Sequence, residues 1–534
     1  MSETPKKQNF LQGAAWLAMA TAIVKVIGAL YKIPLKMVIG DQGYSYFYTA
    51  YDIYSVLLLL STAGLPVAMS RMVSQAHSLG HHNQIRKIYA TARAIFLTLG
   101  AISTGLMLLF CRQLAEFQRQ PDAWFAIACL SPCALLTCRL ASYRGFFQGQ
   151  GNMRPTSISQ ILEAVCKLLV GLGCAILLAR LTNSVSFAAG GAILGVTFSC
   201  LFSAVFLFSK FRPAYRSLTE TTEKVDSFGV TAKRLLAIAV PITIGSAGLQ
   251  MLTVLETNLY MGQLLGTLGL QQDTAETMKG IYNMCQTVFN MPCAFIVPIT
   301  ISIIPAITSH LTLNNGMAAK ATAESAARIT GLISLPCAVG LSVLAKPVIS
   351  LLGGYSGEKA LLAGQLMSIL GVCVFLYATV QFTNAVMQAN GYAHIPVVNM
   401  LICGAVKLVV VYLLVGNPAL GITGAPIGAA ICYLSIGTLN IFAINRTVKE
   451  KPALVTNLLR PLLPAALMGG AVFGVYRGLI VLLGEGASSV ILCGGPILVG
   501  VVVYFAAVVL FKTITKDDCL LLPKGDKIAK LLRL

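Results

Sequence analysis

Nine ionisable side chains lie inside long apolar stretches of this sequence. A charge at the depth of a bilayer core costs at least about 2.5–3.5 kcal/mol, so residues of this kind are default candidates for a functional site. The set is Lys25, Lys32, Asp52, Arg139, Glu163, Lys167, Glu256, Lys407 and Arg477. Six of the nine are cations and three are acids. This excess of buried positive charge indicates a cavity suited to anions.

The apolar stretches also define the class of protein. Of the 534 residues, 56% are hydrophobic and only 11% are charged, whereas a soluble domain carries about 25% charged residues. Many apolar runs reach about 18 residues, the length that crosses a bilayer core as a helix. The composition therefore excludes a soluble enzyme and a disordered chain, and it predicts an all-α polytopic membrane protein.

Breaks between the apolar runs predict fourteen transmembrane helices. The predicted spans are 14–39, 45–69, 88–110, 123–146, 155–179, 185–209, 234–260, 280–305, 322–345, 361–388, 394–416, 421–444, 461–483 and 489–511. Only short loops remain between them, so we expect no separate soluble domain.

The distribution of Lys and Arg predicts the orientation of these spans. With the N-terminus inside, the inner segments hold 26 of the 39 basic residues, the outer loops hold six and the spans hold seven. The six outer residues are Arg112, Arg119, Arg180, Lys279, Lys346 and Lys359. Because basic residues collect in cytoplasmic loops, both termini are predicted to be cytoplasmic. This pattern accounts for the net charge of +20 without nucleic-acid binding.

An internal repeat organises the chain. The segments Arg144–Leu169 and Asn384–Val409 match at an offset of 240 residues, and GGAILG at 190–195 corresponds to TGAPIG at 423–428. Two parallel six-helix copies enclose a midplane cavity and work by rocking. The fold class is therefore two pseudo-symmetric six-helix lobes plus two C-terminal helices. The predicted parts are an N-terminal lobe 1–210, a cytoplasmic linker 211–233, a C-terminal lobe 234–446, two added helices 460–511 and a cytoplasmic amphipathic tail 512–534.

Individual charges carry different interpretations. Lys25 lies near the middle of the first span and is the leading candidate for the cavity, whereas Lys32 lies nearer the outer end and can extend to the interface. Asp52 and Glu256 either neutralise Lys25 or take part in ion coupling. Arg71 ends the second span, where it serves as an inner-face anchor or as part of the site.

The repeat places two further lysines in equivalent positions. Glu163 and Lys167 have the i,i+4 spacing that allows an ion pair along one helix face, so an internal pair and a ligand site both stay open. Lys407 repeats Lys167, but Cys403 replaces the acid. Lys407 therefore needs another partner and is a further candidate for the cavity.

The sequence lacks the motifs of the common enzyme and metal sites. It contains no P-loop, nucleophile elbow, HExxH motif or paired CxxC, and HSLGHH at 77–82 has no metal-site context. Cysteines in apolar segments behave as small hydrophobic residues. We therefore expect no enzymatic activity, no cofactor and no bound metal, apart from a coupling ion of unknown identity.

Four segments resemble a known family. They are KVIGALYKIPL at 25–35, AGLPVAMSRMVSQ at 63–75, RGFFQGQGNMRPTSISQILE at 144–163 and IIPAITSH at 303–310. They are similar to the polysaccharide-biosynthesis flippases typified by stage V sporulation protein B, in the multidrug/oligosaccharidyl-lipid/polysaccharide exporter superfamily. The resemblance implies alternating-access translocation of an undecaprenyl-pyrophosphate-linked saccharide from the inner to the outer leaflet of a bacterial plasma membrane. The alternative in the same superfamily is a cation-coupled multidrug exporter that uses Asp52 or Glu256.

The resemblance also implies which residues line the cavity. Lys25 matches the basic stretch of the first helix, Arg71 falls in the motif that closes the second, and Glu163 is the acid of the most specific motif. The lipid II flippases carry an Arg early in the eighth helix, where this chain has Asn283 and Gln286. The predicted cavity set is Lys25, Lys32, Asp52, Arg71, Arg139, Glu163, Lys167, Glu256, Asn283, Gln286 and Lys407. The expected partners are the lipid-linked saccharide and membrane lipids, bound by a monomer.

Overall fold

The structure is a computed structural model that describes residues 10–62, 64–219, 221–484 and 488–514. The side chains of several residues within these ranges, that of Lys25 among them, lie outside the described part. The predicted amphipathic tail falls outside it beyond Ile514.

The described residues form α-helices with short 3-10 and π turns, and no strand. The helices are α1 Phe10–Thr62, α2 Leu65–Ser78, α3 His82–Leu109, α4 Cys111–Phe117, α5 Trp124–Gly149, α6 Arg154–Thr182, α7 Val185–Arg216, α8 Phe228–Gly262, α9 Gln272–Thr312, α10 Gly316–Val343, α11 Ala345–Gly353, α12 Gly357–Ala389, α13 His394–Val415, α14 Gly424–Thr447, α15 Leu454–Leu459, α16 Leu462–Leu483 and α17 Ser489–Leu510. The all-α prediction is confirmed.

The predicted number of membrane spans is not confirmed. Within the described chain, eleven helical segments are long and apolar enough to cross a bilayer. The predicted spans 14–39 and 45–69 fall largely within α1, Phe10–Thr62, whose helical backbone is broken at Gly40, next to the predicted end of the first span. The predicted spans 234–260 and 280–305 lie within α8 and α9, which are 35 and 41 residues long.

A kink at Gly40 divides α1 into two arms. Gly40 has φ 69° and ψ −173°, a backbone conformation that side-chain-bearing residues rarely adopt. Gly280 of α9 packs directly beside this kink, since a Cβ on Gly280 would collide with the carbonyl oxygen of Asp41. Beside the kink, the carboxylate of Asp41 forms a buried ion pair with Lys36 at 3.2 Å. The kink therefore fixes the position of the first turns of α9 on α1.

The first of two compact units comprises residues up to Leu265 together with Leu270–Gly280. Its helices α6 and α7 pack closely because Gly171 and Gly195 face each other without side chains. Such small residues allow membrane helices to approach at the backbone. This contact holds α6, which carries Glu163 and Lys167, against the rest of the unit.

The second unit comprises Gly266–Gly269 and the residues from Ile281 onward. One of its cores is built from α9, α10, α12, α14 and α15 around Ile307, Ala323 and Phe382. A second core joins α10 to α16 and α17, where the Tyr504 hydroxyl donates to the Leu332 carbonyl at 2.7 Å. The predicted boundary between repeats at 211–233 falls inside the first unit and stays a prediction.

Candidate functional site

An aromatic face on α1 forms one wall of the site in the first unit. Tyr44, Phe47, Tyr48, Tyr51 and Tyr54 follow the spacing of three and four residues that places side chains on one helix face. The rings contact one another, with centroids 5.1 Å apart for Tyr44 and Tyr48 and 4.9 Å apart for Phe47 and Tyr51. This face offers ring surfaces and hydroxyl groups to neighbouring cations.

Two of the predicted cations lie against this aromatic face. Lys167 Nζ donates to the Tyr51 hydroxyl at 2.5 Å and lies 4.6 Å from the centre of the Tyr51 ring. Lys32 Nζ donates to the Tyr48 hydroxyl at 2.8 Å and lies 4.8 Å from that ring centre. The ring faces stabilise both ammonium groups. Among the described residues neither lysine forms an ion pair, so both have N–H donors left for an anion.

The acid of the repeat motif pairs across the hairpin between α5 and α6. Arg144 donates from a terminal guanidinium nitrogen to Glu163 at 2.8 Å, and from Nε to the Ser159 hydroxyl at 3.2 Å. Glu163 thus has its ion pair with Arg144, while its i,i+4 neighbour Lys167 bonds to a tyrosine.

Arg144, Glu163 and Lys167 line a cavity of about 300 Å³, which we call the α6 cavity. It is lined by Val24, Gly28, Tyr31, Arg144, Gln160, Glu163, Ala164 and Lys167. The Arg144 and Glu163 side chains are 20% and 30% exposed, so the pair borders open space. The buried Gln160 Oε1 has no hydrogen-bond partner in the described chain. The α6 cavity therefore combines two cations, one acid and an unpaired amide beside an aromatic wall.

Sequence analysis missed a second cluster in the same unit, the Lys279 cluster. Lys279 is fully buried, and its Nζ donates to Thr49 Oγ1 at 2.5 Å and to Gln120 Oε1 at 3.1 Å. Glu276, also fully buried, accepts from the Tyr46 hydroxyl at 2.5 Å and from Gln272 Nε2 at 2.8 Å.

The prediction that Lys279 lies in an outer loop is wrong. The helix α9 begins at Gln272, eight residues before the predicted start at 280, and so places Lys279 inside the bundle. The signal was present in the sequence: Glu276, Lys279, Asn283 and Gln286 are spaced by three and four residues. That spacing forms a polar stripe on one face of a longer helix.

The two predicted coupling acids lie near the Lys279 cluster. Asp52 is half-buried and interacts electrostatically with Lys279, Glu256 and Lys32. Glu256 is buried, with 8% of its surface exposed. The first unit therefore brings Lys32, Asp52 and Glu256 into one network of charges.

The remaining predicted residues have other surroundings. Arg71 is exposed on α2, and the Arg139 guanidinium lies 4.9 Å from the Tyr143 ring centre. In the second unit, Asn283 is buried with its Nδ2 unpartnered in the described chain, whereas Gln286 and Lys407 are half-buried. The side chain of Lys25 lies outside the described residues.

Known relatives extend along almost the whole chain. The uncharacterized membrane protein YabM of Bacillus subtilis is 28% identical over 544 residues, covering 99% of this chain and 97% of the relative. Stage V sporulation protein B of the same organism is 23% identical, covering 97% and 98%. The lipid II flippase MurJ of Bacillus subtilis is 22% identical, covering 87% and 88%.

Solved structures show the same fold at low identity. Lipid II flippase MurJ in an inward closed conformation aligns with a TM-score of 0.63 and 13% identity over 94% of this chain and 98% of that chain. An inward-facing multidrug resistance MATE family transporter of the MOP superfamily aligns with a TM-score of 0.62 and 15% identity over 79% and 97%.

The many apolar helices and these relatives show a multi-pass membrane protein. The resemblance stated from the motifs is confirmed. A family model described as polysaccharide biosynthesis protein matches residues 10–310, more than half of the sequence. The chain belongs to the polysaccharide biosynthesis protein family.

Proposed function

We propose that the protein is a flippase that moves a lipid-linked saccharide, carried on undecaprenyl pyrophosphate, from the inner to the outer leaflet. The observation that carries the proposal is the α6 cavity, which is lined by Lys167, Arg144 and the ring of Tyr31. The similarity to the protein named lipid II flippase supports the same class of substrate.

The physical difficulty of flipping is the desolvation of the head group. A buried polar group without a hydrogen bond costs several kcal/mol, and an unpaired charge costs far more. Lys32 and Lys167 replace lost hydration because their tyrosine partners hold them in place without cancelling their charge. Ring surfaces at Tyr31 and Tyr51 suit the apolar faces of sugars. The lipid tail stays in the bilayer throughout.

The ion pair between Arg144 and Glu163 can be exchanged for one between Arg144 and the substrate. In the empty site Glu163 holds the guanidinium at 2.8 Å. A bound phosphate competes for the same fork of N–H donors, which matches phosphate oxygens in a bidentate way. Binding and release of substrate then exchange one ion pair for another, so the guanidinium is never left without a counter-charge.

Alternating access driven by the membrane potential completes the proposal. With the inside negative, outward movement of an anion is favoured by about 2.3 kcal/mol per charge per 100 mV. No ATP is needed. Collapsing the potential with an ionophore, while ion gradients are held constant, is expected to slow translocation; an unchanged rate would remove this part of the account.

The test is reconstitution of the full chain in liposomes with fluorescent lipid-linked saccharides that differ in sugar. Translocated molecules become accessible to a membrane-impermeant quencher on the opposite face. We expect protein-dependent translocation of at least one pyrophosphate-linked substrate, and its loss in Lys167→Met. If every head group stays on its original leaflet, the proposal fails.

A second candidate, a cation-coupled multidrug exporter, is favoured by two acids in the first unit, the half-buried Asp52, which interacts with Lys279, and the buried Glu256. Efflux of a cationic dye from the same liposomes distinguishes the two. An exporter would lose dye efflux in Asp52→Asn and keep it in Lys167→Met. The flippase shows no dye efflux in either protein.

A further inference from the structure

A second cavity of the first unit lies at the face predicted to be cytoplasmic, away from the α6 cavity. It has a volume of about 600 Å³ and is formed by α2, the start of α3, the segment before α8 and the first turns of α8. We call it the basic groove. Its lining residues are Arg71, Met72, Gln75, Ala76, Leu79, His81, Gln84, Ile88, Lys224, Asp226, Arg234, Ala237 and Ile238.

The segment that forms one wall, residues 221–227, is hydrogen-bonded to the start of α3. Glu223 Oε1 accepts from the backbone N–H groups of Asn83 and Gln84 at 2.8 and 3.1 Å. Gln84 Nε2 donates to Asp226 at 3.0 Å, and the Asp226 N–H donates back to Gln84 Oε1 at 2.9 Å. These hydrogen bonds hold Glu223 and Asp226 in place, and they therefore fix the backbone position of Lys224 between them.

Hydrogen bonding also keeps the Glu223 carboxylate ionised. Partial burial opposes ionisation, but bonds from Thr221 and from the backbone of Gln84 and Asn83 outweigh it and lower the pKa of Glu223 to about 2. Glu223 therefore already supplies the anion at the N-terminus of α3. A ligand of the basic groove meets side-chain cations rather than that helix end.

The basic groove has more cationic than anionic side chains. Arg234 pairs with Asp226 at 2.6 Å. Arg71 and Lys224, in contrast, have no ion pair among the described residues. His81 adds a third nitrogen base to the rim. Two uncompensated cations in one cavity indicate an anionic ligand with a phosphate-like charge.

The other lining of the basic groove is apolar and continues beyond it. Leu79 is 68% exposed, and Ala237 belongs both to the groove and to a second, open depression lined by Lys233, Leu236, Ala237 and Val240. Leu236 and Val240 are exposed along the same side of α8. An inorganic anion gains nothing from this surface, whereas a hydrocarbon chain does.

We infer that the basic groove binds an anionic phospholipid, with its phosphate between Arg71 and Lys224 and one acyl chain along Leu236 and Val240. The site is separate from the α6 cavity, and the inference does not rest on the proposed function. The charge supplies preference for anionic over zwitterionic lipid, and the apolar side of α8 supplies preference for lipid over free phosphate.

The test uses the full chain reconstituted in phosphatidylcholine with a trace of phosphatidylglycerol that carries a photoreactive acyl chain. Cross-linked peptides are mapped and quantified against the mole fraction of unlabelled phosphatidylglycerol. We expect labels on 233–240 and on 71–88. Because each interfacial cation is worth about 1 kcal/mol, or about fivefold in affinity, Arg71→Gln with Lys224→Gln is expected to weaken competition about 25-fold.

A matched variant, Lys210→Gln with Lys451→Gln, removes two exposed cations that do not line the groove and is expected to label like the wild type. Leu236→Ser with Val240→Ser alters only exposed positions of α8 and should lower labelling of 233–240. Equal labelling by phosphatidylcholine, or unchanged labelling in the Arg71/Lys224 variant, would overturn the inference. Complete competition by inorganic phosphate would overturn the assignment to a lipid.

Discussion

The two segments of the predicted repeat share a glycine turn and differ in charge. Both turn at a glycine with positive φ, 76° at Gly151 and 85° at Gly391. In the first copy, Arg144, Ser159 and Glu163 form an ion-pair network at the rim of the α6 cavity. At an offset of 240 residues the second copy has Asn384, Asn399 and Cys403.

The second copy replaces this ion pair with amides. Asn440 of α14 donates to Asn384 Oδ1 at 2.8 Å and to Thr383 Oγ1 at 3.1 Å, and it accepts from Asn399 Nδ2 at 2.9 Å. Asn440 is fully buried, whereas Arg144 and Glu163 are 20% and 30% exposed. A buried, satisfied amide network stabilises a bundle, and a partly open charged network can exchange partners. We therefore expect the first copy to carry recognition and the second to carry structure.

The largest expected effect comes from the equivalent lysines. Lys167→Met removes a charge-assisted contact worth about 1.5–3 kcal/mol, so the translocation rate should fall roughly 30-fold. Lys407→Met should change it less than about threefold. The measurement is the fluorescent lipid-linked saccharide assay in liposomes. Equal decreases in translocation rate in both variants would show that the two copies contribute equally to substrate recognition.

Replacing the ion-paired residues of the first copy by their equivalents in the second is expected to have the next largest effect. Arg144→Asn with Glu163→Cys should slow translocation about tenfold, while the fold is kept because both charges leave together. Glu163→Cys alone strands the guanidinium and should cost about 1–3 kcal/mol of stability. Thermal unfolding of the single and double variants measures the coupling. Additive losses would mean that the pair does not act as a unit.

The amide network predicts the opposite pattern. Asn440→Ala leaves Asn384 and Asn399 without their shared partner and should lower the free energy of unfolding by about 2 kcal/mol, with little effect on the rate of the folded protein. Thr438→Ala, which removes an exposed hydroxyl bonded within its own helix, is the control. A stable Asn440→Ala protein with a lost rate would reverse the assignment of roles.

The shared turns predict equal and smaller effects. Gly151→Ala and Gly391→Ala force a side chain into left-handed backbone and should each cost about 1–2 kcal/mol. Gly173→Ala, in ordinary helix with open space around its Cα, is expected to be neutral or slightly stabilising. Thermal unfolding compares all three. A large difference between the two turns would mean that the copies do not share a backbone.

The smallest effect concerns the segment that ties α7 to α8. In the folded protein the pKa of Glu223 is about 2, below the ordinary value of a glutamate. The contribution of Glu223 to stability is therefore fully present above about pH 4.3 and is lost as the pH falls through 2. A spin label at Ser227 should therefore be immobile down to about pH 4. Glu223→Gln should mobilise the label at neutral pH. An immobile label in that variant would show that the carboxylate is not what holds the segment.

Much of the fold follows from the sequence because hydrophobic periodicity and charge placement act locally. The helices, the repeat and its glycine turns are all encoded in short windows, as Gly151 and Gly391 show. Glu163 and Lys167 were likewise identifiable as intramembrane charges. These features need no knowledge of which helices pack together.

The partners of each charge depend on tertiary packing and could not be predicted. Tyr51 lies 116 residues from Lys167, and Arg144 reaches Glu163 across a turn rather than along one helix. Lys279 was missed because a polar first turn of α9 resembles a loop when read by hydropathy alone. Its burial depends on Gly280, which allows α9 to rest on the backbone of Asp41.

Comparing two substrates in the same liposomes tests the central claim most directly. One carries its saccharide on a lipid pyrophosphate, and the other carries the same saccharide on an uncharged lipid. If cations beside the aromatic wall of α1 recognise phosphate, the charged substrate should translocate at least about tenfold faster, and Lys167→Met should abolish that preference. Equal rates for the two substrates, or a preference that survives Lys167→Met, would contradict the account.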